Sequence, residues 1–152
     1  MTLTTTLTSK LTASFVAAFV VTTIVLVYVL RAPHIIIQDD ALADEYYYKN
    51  AASTLSGDLI ASALLLLAAQ YVIYTTNITG TLPRIAIIAI VVALATTVRQ
   101  ISAGSERSYV ANSEPNSNTW YASVGTRNSV AYDVIFMTTL YIVLTTIYSQ
   151  FI

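Results

Sequence analysis

Four long apolar runs limit what this chain can fold into. Residues 11–30 lie uncharged between Lys10 and Arg31, residues 59–74 follow Asp58, residues 85–98 follow Pro83 and Arg84, and residues 134–152 carry no charge at all. A helix rises about 1.5 Å per residue, so about 20 apolar residues cross the roughly 30 Å hydrocarbon core of a bilayer. The runs are continuous, as in Ala61-Ser62-Ala63-Leu64-Leu65-Leu66-Leu67-Ala68-Ala69, and lack the alternating polarity of barrel strands. The reading is an all-α polytopic membrane protein, a single membrane domain over residues 1–152 built as a four-transmembrane-helix bundle. Its spans are placed at about residues 11–31, 57–75, 83–103 and 131–151. With 56% hydrophobic and only 10% charged residues, the chain has too little solvating surface for an ordinary soluble domain. The lipid bilayer is therefore its first expected partner.

The first run resembles a signal peptide in having Lys10 ahead of it. It is too long for one, and Arg31-Ala32-Pro33-His34 is a poor cleavage site, so it is read as a retained helix. Pro33 is expected to stop that helix. Pro83 suits the first turn of the third, where its missing N–H costs nothing.

Four spans put both termini and the short turn of residues 75–82 on one side, with Asn77 and Gly80 as turn formers. Two larger connections, residues 32–56 and 104–130, share the other side. That side holds Arg31, Lys49, Arg99, Arg107 and Arg127, against Lys10 and Arg84 opposite, and five against two favours large loops facing the cytoplasm. All eight acidic residues also fall on the large-loop side. One face is thus dense in charge of both signs while the other is nearly bare.

Within the first connection, residues 38–50 contain no helix breaker, and Asp39 or Asp40 suits a helix N-cap. A helix is expected here, an interfacial helix between spans 1 and 2 or one running on into the second span through Ser56-Gly57. The acids Asp39, Asp40, Asp44 and Glu45 lack the alternate ligands and central glycine of a calcium loop, so they are read as a solvated, dipole-matched first turn. Tyr46, Tyr47 and Tyr48 fit an aromatic belt, with Trp120, Tyr121 and Tyr132 on the same side. A second role for these rings is a partner-binding face made by Asp39, Asp40, Asp44, Glu45, Tyr46, Tyr47, Tyr48, Arg107, Trp120, Tyr121 and Arg127.

Three ionisable residues sit near the large-loop ends of the spans: Asp58, Arg99 and Asp133. The sharper reading is a charge cluster that clips three helices together or lines an ion path. The blander one leaves both aspartates in first helical turns, favoured by the dipole, with Arg99 reaching to the interface. Between Leu59 and Tyr74 the only strongly polar residue is Gln70, which argues against a relay through the membrane. Small residues, Ala86, Ala89 and Ala93 on the third span and Gly57, Ala61, Ala68 and Ala69 on the second, are expected at helix contacts.

Chemistry for catalysis is sparse. There is no cysteine, one histidine (His34), and four glycines in all, so thiolate chemistry, metal helices, phosphate loops and nucleophile elbows lack their residues. A net charge of −1 offers no electrostatic footprint for nucleic acid. No enzymatic activity, cofactor, metal, nucleic acid or small-molecule substrate is expected. The Asn77-Ile78-Thr79 triplet fits a glycosylation acceptor but lies within a few residues of two spans, and is read as a turn.

An acid at the start of the second and fourth spans (Asp58, Asp133), a Trp120-containing segment ending in Val124-Gly125 ahead of the last, and no catalytic residue form a combination. Over Lys49 to the C-terminus it resembles small four-span inner-membrane proteins of large icosahedral double-stranded DNA viruses. That resemblance implies a structural virion protein in the lipid beneath a capsid, touching minor capsid proteins. The function expected is a non-enzymatic integral membrane protein that anchors or organises neighbouring protein subunits through its loop face. The alternatives are an accessory subunit of a multisubunit membrane enzyme complex and a small channel or transporter.

Overall fold

The computed structural model describes residues 2–105, 124 and 126–149, with side chains over 8–102, 124 and 127–149. Among the described residues every regular element is helical. Four helices are long and apolar enough to cross a membrane: Thr8–Val29, Ala51–Thr75, Thr81–Ser102 and Arg127–Ser149.

Helix α1 (Thr2–Thr23) runs directly into a π-helical turn, Ile24–Val29, closed by Leu30 N–H donating to Val25 O at 2.9 Å. Pro33 does more than end this helix. Arg31 takes a left-handed conformation (φ 50°), and Pro33 then opens the short helix α2 (Ala32–Ile37) from its first turn. Gln38, also left-handed (φ 60°), ends α2, and Asp39 caps the next short helix, α3 (Asp40–Asp44), by accepting from Leu42 N–H at 3.0 Å. A second π turn, Glu45–Lys49, leads into α4 (Ala51–Thr75). The helix expected over residues 38–50 is found as one unbroken helical run over residues 40–49, α-helical and then π-helical, with Asp39 as its cap. The left-handed residues re-aim the chain twice, each at about 1–2 kcal/mol for a residue with a Cβ.

The tight turn between the second and third spans has the chemistry read from the sequence. Asn77 (φ 52°) and Gly80 (φ 90°) take the left-handed positions, and Pro83 lies in the first turn of α5 (Thr81–Ser105). The last helix, α6 (Thr126–Ser149), packs against both α1 and α5, while α4 lies chiefly on α5.

The side chains are arranged for a solvent that is itself apolar. Buried Ile88, Val92, Thr96 and Gln100 repeat every fourth residue along α5, and Leu140 of α6 is fully buried. On the opposite faces, Ile60, Leu64, Leu67, Tyr71 and Tyr74 form an exposed stripe on α4, with Ile90, Leu94, Val98 and Ile101 on α5. Tyr74 is 81% exposed and Leu67 67%. Contiguous apolar stripes of this length are not tolerated by water. They suit hydrocarbon.

Helix packing differs in one respect from the pattern read in the sequence. The stripe of small residues lies on α1, where Ser14, Ala18 and Thr22 are buried at intervals of four. Of the small residues expected at contacts, Ala69 is buried and Ala61, Ala89 and Ala93 are half-buried, whereas Ala86 and Ala68 are exposed and a Cβ built on Gly57 would meet nothing within 4 Å. In lipid, small size marks a contact only where a neighbour stands, and Gly57, Ala68 and Ala86 have none.

Candidate functional site

Asp58, Arg99 and Asp133 come from three different helices and line one cavity of about 250 Å³. Asp58 lies seven residues past Ala51, Arg99 six before Ser105 and Asp133 seven past Thr126. At about 1.5 Å per residue each is about 9–11 Å inside the large-loop end of its helix. The matching depths follow from the alternating direction of the spans.

This placement corrects the first-turn reading of the two aspartates. The small, breaker-free stretch of residues 51–57 continues α4 upstream of Asp58, and α6 likewise begins well before Asp133. The dipole's benefit is confined to about the first turn. It does not account for carboxylates two turns in.

The walls are specific. Thr96 donates from Oγ1 to Asp133 Oδ2 at 2.7 Å, a hydrogen bond that joins α5 to α6. Tyr46, Tyr47 and Tyr132 also line the cavity: Tyr46 stands edge-on to Tyr47 at 5.0 Å, Tyr47 to Tyr132 at 6.0 Å, and Tyr132 lies 6.2 Å from Phe136. Tyr47 and Tyr132 are also hydrogen-bonded through their side chains. Burial pushes the Tyr46 and Tyr47 phenols well above the usual tyrosine value, and the nearby Asp58 carboxylate acts the same way. Both remain protonated donors at any physiological pH.

Below the cavity the interior closes. Leu66, Ala69 and Ile73 of α4, Ile88 and Val92 of α5 and Leu140 of α6 are buried apolar residues towards the short-turn side. At its upper edge Gln100 Nε2 donates to Val124 O, tying the end of α5 to the chain entering α6.

The expected partner-binding face divides. Tyr46 and Tyr47 are turned inward, 5% and 3% exposed, because the π turn that carries them packs onto the end of α4 and against Tyr132. Tyr48 stays on the surface beside Tyr28 and His34, with ring centroids at 5.4 and 6.0 Å. Asp39 is occupied as a cap, and Asp40 and Arg127 are exposed. Asp44 accepts from His34 Nε2 at 2.9 Å, with Arg31 3.9 Å away, while Glu45 is half-buried. Tyr28 OH donates to Tyr47 O at 3.0 Å and pins the connection to the first span. Arg107, Trp120 and Tyr121 lie outside the described residues.

Two polar cavity residues went unremarked in the sequence, Ser62 and Thr96. Each had a signal: Ser62 is four residues after Asp58 and Thr96 three before Arg99, one helical turn away on the same face. Comparison of the chain with protein-family models, with curated proteins and with solved structures finds no match.

Proposed function

We propose that this chain is a non-enzymatic structural membrane protein, a four-helix bundle that anchors a protein assembly through its large-loop face. The observation that carries the reading is the distribution of polarity. Apolar side chains cover the outside of the spans, charge gathers at one end, and the bundle beneath that charge is filled chiefly by apolar side chains, with the α1 hydroxyls of Ser14 and Thr22 buried among them. Such an interior supports anchoring in preference to conduction, which needs polar groups through the full thickness.

In this reading α2 and α3 lie along the membrane surface, and Asp40 of α3, Tyr48 and Lys49 of the second π turn and Arg127 of α6 face neighbouring subunits. Charges and aromatic rings on a fixed scaffold give orientation and partner choice. The Asp58, Arg99 and Asp133 group holds α4, α5 and α6 in register beneath that face. The resemblance to inner-membrane virion proteins makes the assembly a capsid lattice above lipid.

Site-specific photo-crosslinking in the native membrane or particle tests this. A photoreactive residue at Asp40 or Tyr48 should give one discrete protein adduct, and one at Tyr74 should give lipid adducts only. Lipid adducts from all three positions would overturn the proposal.

A further inference from the structure

The cavity has more chemistry than a helix clip needs. A clip is complete when charges pair, yet Asp58 accepts no hydrogen bond from any described residue while it faces open volume walled by aromatic rings. Two carboxylates and one guanidinium line that volume among the described residues. Its size, about 250 Å³, is below the roughly 300–1,000 Å³ of drug-sized sites. It suits a group of a few heavy atoms.

From this juxtaposition we infer that the cavity formed by Asp58, Asp133, Tyr46, Tyr47 and Tyr132 binds an alkylammonium group. Aromatic faces attract a quaternary or primary ammonium through the ring quadrupole, and a nearby carboxylate supplies the counter-charge in a dry site. A hard divalent cation fits poorly. It takes about six or more oxygen ligands, and among the described residues no three His, Cys, Asp or Glu side chains gather to hold a metal. Among the described residues, an anion would face two carboxylates and one guanidinium.

The ammonium has two sources. Exposed Leu64 and exposed Arg99 both belong to the lining, so the volume reaches the surface that faces lipid, near the headgroup level. A phosphatidylcholine or phosphatidylethanolamine headgroup could enter there, its phosphate beside Arg99. A free amine could enter from the loop side. The shared element is the ammonium on Asp58 and the tyrosine rings, and the inference stands apart from any role of the loop face.

The experiment uses the full chain, purified in a non-ionic detergent and stripped of lipid. Tetramethylammonium chloride, with sodium chloride as control, is titrated by calorimetry, and lipids retained from mixed nanodiscs are read by native mass spectrometry. Saturable tetramethylammonium binding, weakened at least tenfold by Asp58→Asn and by Tyr46→Leu but not by Tyr46→Phe, is expected. Retention of choline or ethanolamine lipids over phosphatidylglycerol, lost in Asp58→Asn, assigns the site to a headgroup. Binding without lipid selection assigns it to a free amine. If the native chain shows neither saturable binding nor lipid selection, the inference fails. It fails equally if Tyr46→Leu, folded by circular dichroism and elution, binds as the native chain does.

Discussion

Leu140 and Leu64 are the same residue in opposite surroundings. The first is fully buried in α6, and the second is 63% exposed on α4. In water, truncating a buried leucine forfeits both transfer energy and packing. In a bilayer the transfer part largely vanishes, because lipid tails are as apolar as the helix interior, and the lost packing remains. Truncating Leu140 to alanine opens at most about 80 Å³, which at about 24 cal/mol per Å³ costs about 2 kcal/mol. At Leu64 lipid flows into the space, and the cost stays under about 0.5 kcal/mol. Reversible unfolding in mixed micelles by dodecyl sulfate titration, followed by circular dichroism, resolves that difference, which is about ten- to thirtyfold in the unfolding constant. Equal losses for Leu140→Ala and Leu64→Ala, or a larger loss at Leu64, would refute the assignment of inner and outer faces.

Three further outcomes follow from local contacts. Thr96→Val removes the 2.7 Å donor to Asp133 at nearly constant volume, and should lower unfolding stability by about 1.5–3 kcal/mol, as for other bonds to charged groups. Gly80→Ala forces a Cβ onto a backbone with φ 90° while meeting Pro83 only at ordinary contact. The cost should be about 1–2 kcal/mol in the same titration, whereas Asn77→Gly should be neutral or slightly stabilising. Asp39→Ala deletes the cap of α3, and should raise hydrogen-exchange rates over residues 40–44 by an amount equivalent to about 1 kcal/mol, leaving the spans unchanged.

The long elements were legible because an unbroken apolar run of membrane length has few other physical solutions. The turn at Asn77 and Gly80, the cap at Asp39 and the place of Pro83 in α5 were legible for a similar reason, each being a local rule about one backbone position. The starts of α4 and α6 were not, since Ala51–Gly57 is polar enough to look like a linker yet contains nothing that breaks a helix. Which face of α4 and α5 points inward was hidden too. Both faces of a lipid-exposed helix are apolar, so periodicity carries little information about direction, and of the alanines expected at contacts Ala69 is buried while Ala68 and Ala86 face outward. The inward turn of Tyr46 and Tyr47 depends on the π turn beneath them, which shifts the azimuth of successive side chains. The cavity needs three helices and a connection at once, and no single segment announces it.

The central claim is that hydrocarbon is the solvent of the outward apolar stripes. The chain contains no cysteine, so single cysteines at Ile60, Leu64, Leu67 and Tyr71 of α4, with Asp40 as control, can be probed in proteoliposomes by a membrane-impermeant maleimide. The account predicts rapid labelling at position 40 and protection at all four α4 positions until the vesicles are dissolved in a denaturing detergent. Labelling along α4 as fast as at position 40 in intact vesicles would contradict it.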